Sequence, residues 1–268
     1  MSTQPNGAEP CALTGRIVLV TGGGQGVGRA IAHRCAELGA TIVVNDFYPD
    51  RAERVAAELT GHGRPASAAG CDVTDFEAVQ AMVAGITEQI GGVDVLVNNA
   101  GNAGASGGSL FSSPPFWETG PRDWDRWLGA NLFGVLNVTR AALPHMVDQG
   151  WGRVVSIISD AGRTGDPGLV AYGAAKAGAA GFSRGLARAV GRHGVTVNCV
   201  ALGAMNTDSV SEMTGDPAVL KKVLGGYPIR RLGEPADAAN MVAFLASEAA
   251  SWITGQTYPV NGGFSFAV

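Results

Sequence analysis

From residue 13 onward, short apolar runs alternate with longer stretches in which apolar residues recur every three or four positions. The runs lie at residues 17–21, 41–45, 66–71, 93–97, 154–158, 195–200 and 257–260. They are short, and most are rich in Val and Ile, as buried strands require. The amphipathic stretches lie at 28–38, from about 50, then at 76–90, 123–149, 171–192 and 236–247. Gly39 stops the first of these as a helix-terminal glycine does. Arg51, Glu53, Arg54 and Glu58 give the second its wet face.

Nearly continuous apolarity in the strands means that both sheet faces are covered. Strand–helix alternation then implies right-handed crossovers and a parallel sheet. The expected fold is α/β: a Rossmann-like doubly wound parallel sheet of about seven strands with helices on both faces. No linker divides the chain, so one domain is expected over 13–268, behind a flexible tail over 1–12.

Composition narrows the functions. The chain is 46% hydrophobic and 16% charged, with net charge −4. This lacks the basic balance of a nucleic-acid binder. No apolar run reaches membrane-spanning length, and the polar N-terminus lacks a signal-peptide pattern. The forty glycines are scattered in turns, not in a collagen-like period. Cys11, Cys35, Cys71 and Cys199 show no metal or disulfide spacing. A cytoplasmic protein with reduced thiols and no metal is expected, with Cys199 a small buried hydrophobe in a strand.

The first chemistry-bearing motif is Thr21-Gly-Gly-Gly-Gln-Gly-Val-Gly28, between the first strand and the first helix. Gly22, Gly26 and Gly28 allow a tight turn and let a pyrophosphate approach the helix N-terminus, with Gln25 and Val27 in the same turn. Asp46 and Phe47 end the second strand, where a carboxylate would accept from the adenosine ribose hydroxyls. Taken alone, the cluster could be a plain glycine turn with a capping aspartate. Its place between a strand and a helix favours a dinucleotide.

The spacing Thr-Gly-x-x-x-Gly-x-Gly resembles the short-chain dehydrogenase/reductase family. Further motifs follow in the family's order: Asp72-Val73, Asn98-Asn99-Ala100-Gly101, Asn131, Ser159, Tyr172-x-x-x-Lys176, Arg231-Leu-Gly-Glu-Pro235 and Asn261-Gly-Gly263. The resemblance covers about residues 13 to 264. It implies that Asp72 and Val73 bracket the adenine, that Asn99, Ala100 and Gly101 line the cofactor, and that Ala204 and Thr207 neighbour the nicotinamide. It also implies that Asn131 holds a relay water, that Lys176 bonds the nicotinamide ribose, and that twofold-symmetric homotetramers form. Two positions depart from the pattern. Leu202 precedes Gly203 where proline is usual, and Ile158 precedes Ser159 where serine is frequent. Ile158 is expected to point into the core.

A free tyrosine, with a pKa of about 10, is a poor base at neutral pH. Lys176 stands four residues after Tyr172, on the same helix face. A cation beside the phenol would favour the phenolate. Tyr172 is therefore the candidate acid/base, Lys176 its tuner and Ser159 the donor to the substrate oxygen. An isolated Tyr-x-x-x-Lys is more often a surface pair, but the phosphate loop and Asn131 in register argue otherwise.

The expected activity is an NAD-dependent interconversion of a small secondary alcohol and a ketone. A 3-oxoacyl-carrier-protein reductase and an inactive cofactor-binding regulator are the alternatives. Gln25 and Asp46 disfavour NADP, since a basic residue would be needed beside its phosphate. The histidines His33, His62, His145 and His193 show no ligand spacing. Asp160 either touches substrate or is a solvated loop carboxylate. Trp124 and Trp127 are expected to pack the start of the long helix. Phe111, Phe116 and Trp117 either line a pocket or cover that helix.

Overall fold

The computed structural model describes residues 11–101 and 114–266. The expected tail falls almost wholly outside them, as does Phe111. Strands β1 (Ile17–Val20), β2 (Thr41–Asp46), β3 (Ala66–Gly70), β4 (Val95–Asn98), β5 (Gly152–Ser159), β6 (Val195–Leu202) and β7 (Thr257–Val260) form one parallel sheet. Its order is β3-β2-β1-β4-β5-β6-β7. The chain runs outward from β1 to β3, then returns to place β4 on the other side of β1. The carboxyl ends of β1 and β4 flank this reversal, where open α/β sheets bind ligands.

Period-two packing covers both faces. On β1, Val18 and Val20 pack with Ile31 and Val242 of the helices on one side. Leu19 packs with Val79 and Val138 on the other. Full burial of one such Val or Leu contributes roughly 1.5–3 kcal/mol. Ile158 lies in a third cluster, 2% exposed, as its sequence position implies. Edge strand β3 is instead built of Ala, Ser and Gly and is largely solvent-facing.

The helices follow the sequence pattern with instructive exceptions. Helices α1 (Gly26–Glu37), α2 (Pro49–Gly61) and α3 (Phe76–Ile90) lie where expected. Asp75 caps α3 by accepting from the Ala78 N–H at 3.1 Å, and left-handed Gly91 ends it. The long helix expected at 123–149 is not continuous. It comprises α4 (Pro121–Leu128), a π-helical turn (Gly129–Phe133) and α5 (Gly134–Asp148). Hydrophobic periodicity cannot reveal a single-turn change in winding, because the apolar face continues through it. After a short α6 (Ala161–Thr164) comes α7 (Val170–Val190).

The segment after β6 is not a plain loop. It holds α8 (Asp208–Thr214) and α9 (Pro217–Gly225) before α10 (Pro235–Ala246). Asp216 caps α9 through the Ala218 N–H at 2.8 Å, with Pro217 in the first turn. That Asp-Pro pair is a readable start signal, but two turns are too short to establish a period. Among the described residues no helix is long and apolar enough to cross a membrane.

Candidate active site

At the sheet reversal, the β1–α1 turn is shaped by backbone fit. Gly22 and Gly26 have φ of 61° and 51°, which favours glycine. A Cβ on Gly28 would collide with the Gly22 carbonyl and the Asn99 amide. The Asn99 side chain donates to the carbonyls of Thr21 and Gly22, at 3.0 Å each. The Thr21 hydroxyl accepts from the backbone N–H of Asn99 and of Ala100, also at 3.0 Å. The motif at the end of β4 thus clamps the glycine turn. Gln25 gives α1 no side-chain cap, so the first amides of that helix face the turn. A glycine cradle that a Cβ would fill, at a helix N-terminus, fits a pyrophosphate.

Asp46 ends β2 with only 5% of its surface exposed. One carboxylate oxygen accepts from the Gly24 N–H and the other from the Tyr48 N–H, both at 3.1 Å. The aspartate is held inside the loop by the backbone it faces. Phe47, beside it, is exposed. Arg29 turns away to pair with Glu58 at 2.7 Å. Two cations flank the corner: Arg51 lies over the Tyr48 ring, and Arg54 donates to the Gly24 carbonyl at 3.3 Å. The sequence pattern places both on the wet face of α2, and their three-residue spacing puts them on the same side of that helix. Along the same edge, Asp72 accepts from Thr74, and the Val73 carbonyl accepts from Asn137 at 3.0 Å. Val27 is half-buried on the first turn of α1.

The other side of the reversal is built from side chains. Ser159 ends β5. Its hydroxyl oxygen accepts from the Ala161 N–H at 3.2 Å, and the hydroxyl lies near enough to Tyr172 to lower that group's pKa. Tyr172 and Lys176 are one turn apart on α7. Lys176, 5% exposed, donates to the Ile157 carbonyl at 2.9 Å, with its Nζ 5.8 Å from the Tyr172 ring centre. Asn131 is fully buried in the π-helical turn and donates to the Trp127 carbonyl at 3.0 Å. A Cβ on Gly101 would strike the Asn131 side-chain Oδ1 and lie 3.3 Å from the Lys176 Nζ. The fold therefore gathers Ser159, Tyr172, Lys176, Asn131 and Gly101 at one place. The extra residue of the π-turn sits at the buried polar group, a placement frequent at functional sites.

The electrostatics differ from the expectation in one respect. Burial raises the Tyr172 pKa, partly offset by the neighbouring Ser159 hydroxyl. Burial also lowers Lys176, to about 8. The lysine does not override desolvation of the phenolate in the protein alone. Tyr172 is thus set as a proton donor, and a neighbouring positive charge would be needed to release its proton.

Beyond β6, the Ala204 N–H donates to the Tyr227 hydroxyl at 2.8 Å. Thr207 stands across from the glycine turn, its methyl 3.4 Å from where a Gly26 Cβ would be. Three neighbours named in the sequence make contacts that its pattern does not assign. Trp127 packs edge-on against the Tyr172 ring at 5.9 Å. Buried Asn98 donates to Thr139 and Ser156, tying β4 to α5 and β5. Asp160 is neither a solvated carboxylate nor open to a ligand, being buried in a hydrogen-bond network. Trp124 stacks on Phe116, while Trp117 is exposed. Among the described residues no cluster of His, Cys, Asp or Glu could hold a metal.

Comparison with known proteins agrees with this geometry. Residues 22–265 match the family model described as enoyl-(acyl carrier protein) reductase. The chain is 36% identical over 252 residues to the 3-oxoacyl-(acyl-carrier-protein) reductase FabG of Aquifex aeolicus (strain VF5), covering 94% of this chain and 98% of that one. The chain belongs to the short-chain dehydrogenase/reductase family. Another relative is nodulation protein G of Azospirillum brasilense, 37% identical over 257 residues, covering 95% and 100% of the two chains. Among solved structures, a gluconate 5-dehydrogenase from Burkholderia cenocepacia J2315 in complex with NADP and tartrate superposes with a TM-score of 0.89. It is 31% identical, and the match covers 97% of this chain and 99% of that one. This short-chain dehydrogenase/reductase is accordingly an oxidoreductase.

Proposed function

We propose that residues 13–268 act as one domain that interconverts a small secondary alcohol and a ketone, with NAD(H) as the preferred cofactor. The observation that carries the reading is the convergence of Ser159, Tyr172 and Lys176 beside the glycine cradle. The turn Gly22-Gly-Gly-Gln25-Gly26-Val27-Gly28 would hold the pyrophosphate and Asp46 with Phe47 the adenosine ribose. Asp72 and Val73 would bracket the adenine. Asn99, Ala100 and Gly101, with Ala204 and Thr207, would line the nicotinamide end. When bound, the nicotinamide supplies or accepts the hydride.

The chain's own residues manage the proton. Tyr172 keeps its proton because burial raises its pKa. In the reducing direction it gives that proton to the substrate oxygen, while the Ser159 hydroxyl stabilises charge developing there. The Ala161 N–H occupies a lone pair of the Ser159 oxygen, leaving the hydroxyl proton to be donated. Lys176, cationic below about pH 8, anchors on the Ile157 carbonyl and presents charge toward Tyr172 and the nicotinamide ribose. Asn131 holds the inner end of a proton path from Lys176.

A second reading, reduction of a 3-oxoacyl group on a carrier protein, is supported by the likeness to the 3-oxoacyl-(acyl-carrier-protein) reductase of Aquifex aeolicus. The Asp46 carboxylate at the end of β2 favours the first, since it would repel the additional phosphate of NADP. A panel of secondary alcohols, polyols, sugar acids, steroids and 3-hydroxyacyl thioesters with NAD, and the same panel with NADP, tests both. Reduced nicotinamide appearing fastest with a small alcohol and NAD supports the reading. Turnover confined to acyl thioesters with NADP would replace it.

We also propose a cytoplasmic homotetramer paired through α5 and α7. Ala174 and Ala177 are exposed on α7, whereas Ala175 and Ala179 face the core. Gly178 lies against Leu132, so this small residue of α7 serves packing within the monomer. Light scattering at micromolar concentration is expected to give four times the chain mass of 27.3 kDa; the single-chain value would refute the assembly.

A further inference from the structure

The buried carboxylate of Asp160 takes no part in the proposed proton chemistry, yet it follows Ser159 directly and is 3% exposed. Its partners come from three parts of the chain. One oxygen accepts from Arg163 at 2.7 Å and from the Ser265 hydroxyl at 2.9 Å. The other accepts from the Asn261 side chain at 2.6 Å. The Asp160 N–H donates to the Leu202 carbonyl at 3.1 Å, so the backbone also ties the end of β5 to the end of β6.

The C-terminal segment completes the bridge. Asn261 donates to the carbonyl and the hydroxyl of Ser265, folding residues 261–265 into a compact turn. Arg163 reaches the Phe266 carbonyl at 3.1 Å. The Phe264 ring packs 5.1 Å from that of Tyr227, whose hydroxyl accepts from the Ala204 N–H. Gly203 donates to the Val260 carbonyl at 3.3 Å, and a Cβ on Gly203 would press on Tyr227 and the Asn261 backbone. The same few residues therefore grip two segments: the one that starts at Ser159 and the one at Gly203–Ala204. The second is the place where Leu202 stands for the family's usual proline.

We propose that Asp160, Asn261, Ser265 and Tyr227 form a C-terminal clamp that fixes the Ser159 turn relative to the Ala204 segment, with Asp160 its central positioning residue. The physical argument is one of orientation. The Ser159 hydroxyl is aimed by the Ala161 N–H, and that N–H is placed by the turn that Asp160 anchors. Two loops at the ends of neighbouring strands have many relative positions available. Charge-assisted hydrogen bonds to one buried carboxylate select a single one. A shift of about 1 Å at a reacting group can lower a rate by about 10²-fold.

The inference rests on the proposed dehydrogenase reading only for its kinetic arm. The test uses Ser265→Ala, Ser265→Thr and Asp160→Asn, none of which alters a group proposed to touch cofactor or substrate. Backbone hydrogen exchange of the full-length protein is measured first. Ser265→Ala is expected to speed exchange by about tenfold at 159–164 and at 203–207 together, leaving 17–46 unchanged. Ser265→Thr, which keeps the hydroxyl, is expected to restore protection. Asp160→Asn is expected to exceed Ser265→Ala at both segments. With a panel alcohol that the wild type oxidises, Ser265→Ala is expected to lower kcat about tenfold with KM for NAD unchanged. Exchange confined to the tail, or unchanged at 203–207, would overturn the clamp whatever the panel gives. A wild type inert toward every panel member would count against the dehydrogenase reading, and the exchange data alone would still decide the clamp.

Discussion

The two sides of the sheet reversal are built by different means. On the β1–β3 side the groups that matter are backbone: glycines at positive φ, helix-terminal amides, and an aspartate held by the N–H groups of Gly24 and Tyr48. On the β4–β6 side they are buried polar side chains, with Asn98, Asn131, Ser156, Asp160 and Lys176 all under 7% exposed. A backbone cradle is damaged by adding atoms. A polar cluster loses its chemistry when atoms are removed, although removing a buried charge also relieves its desolvation. The comparison also separates stability from function. Glycines cost the folded state conformational entropy, whereas a buried lysine costs it desolvation.

Lys176→Met is the sharpest way to break this contrast. Turnover is expected to fall by about 10² or more, yet the fold should gain stability. The lysine pKa falls from 10.5 to about 8 on burial, which corresponds to about 3 kcal/mol of penalty at neutral pH. Because the folded pKa is depressed, that penalty is fully present below about pH 8 and is relieved as pH rises toward 10.5. The stabilisation by Met should therefore shrink between those limits. Thermal unfolding at several pH values checks this, and a destabilised variant at pH 7 would contradict it.

Gly28→Ala tests the other side. The added methyl must displace the Gly22 carbonyl or the Asn99 amide. Overpacking of this kind costs about 1–3 kcal/mol. NADH affinity, read by nicotinamide fluorescence, is expected to drop about 10- to 100-fold, with the Ser159–Tyr172–Lys176 cluster intact. Unchanged affinity would mean that the cradle is not the pyrophosphate site.

The smallest expected effect concerns cofactor choice. An NADP phosphate would meet the Asp46 carboxylate, a repulsion of roughly 1–4 kcal/mol. Arg51 and Arg54 beside the same corner offset part of it. Asp46→Ala is expected to shift the ratio of kcat/KM for NAD over NADP by about tenfold toward NADP. An unchanged ratio would show that Asp46 does not read the ribose.

What the sequence made legible follows the same division. The glycine turn and the strands announce themselves, because φ preference and continuous apolarity are local properties. Tyr172 and Lys176 are visible because one helix turn separates them. The clamp around Asp160 is not, since its partners lie about a hundred positions away and its neighbours in sequence resemble any loop. The π-turn at Asn131 escapes for another reason: it changes the winding without interrupting the apolar face. The rise in the Tyr172 pKa needs burial, which only the packed α7 supplies.

The central claim is that Tyr172 carries the proton. Tyr172→Phe keeps the ring against Trp127 and removes only the hydroxyl. The decisive measurement is kcat of wild type and Tyr172→Phe across pH, with NAD and the best alcohol of the panel. Because burial raises the tyrosine pKa, wild-type oxidation should climb as pH rises into the alkaline range. Tyr172→Phe should lose about 10²–10⁴-fold and flatten that climb, with NADH affinity retained. Near wild-type turnover with the same pH profile would contradict the account.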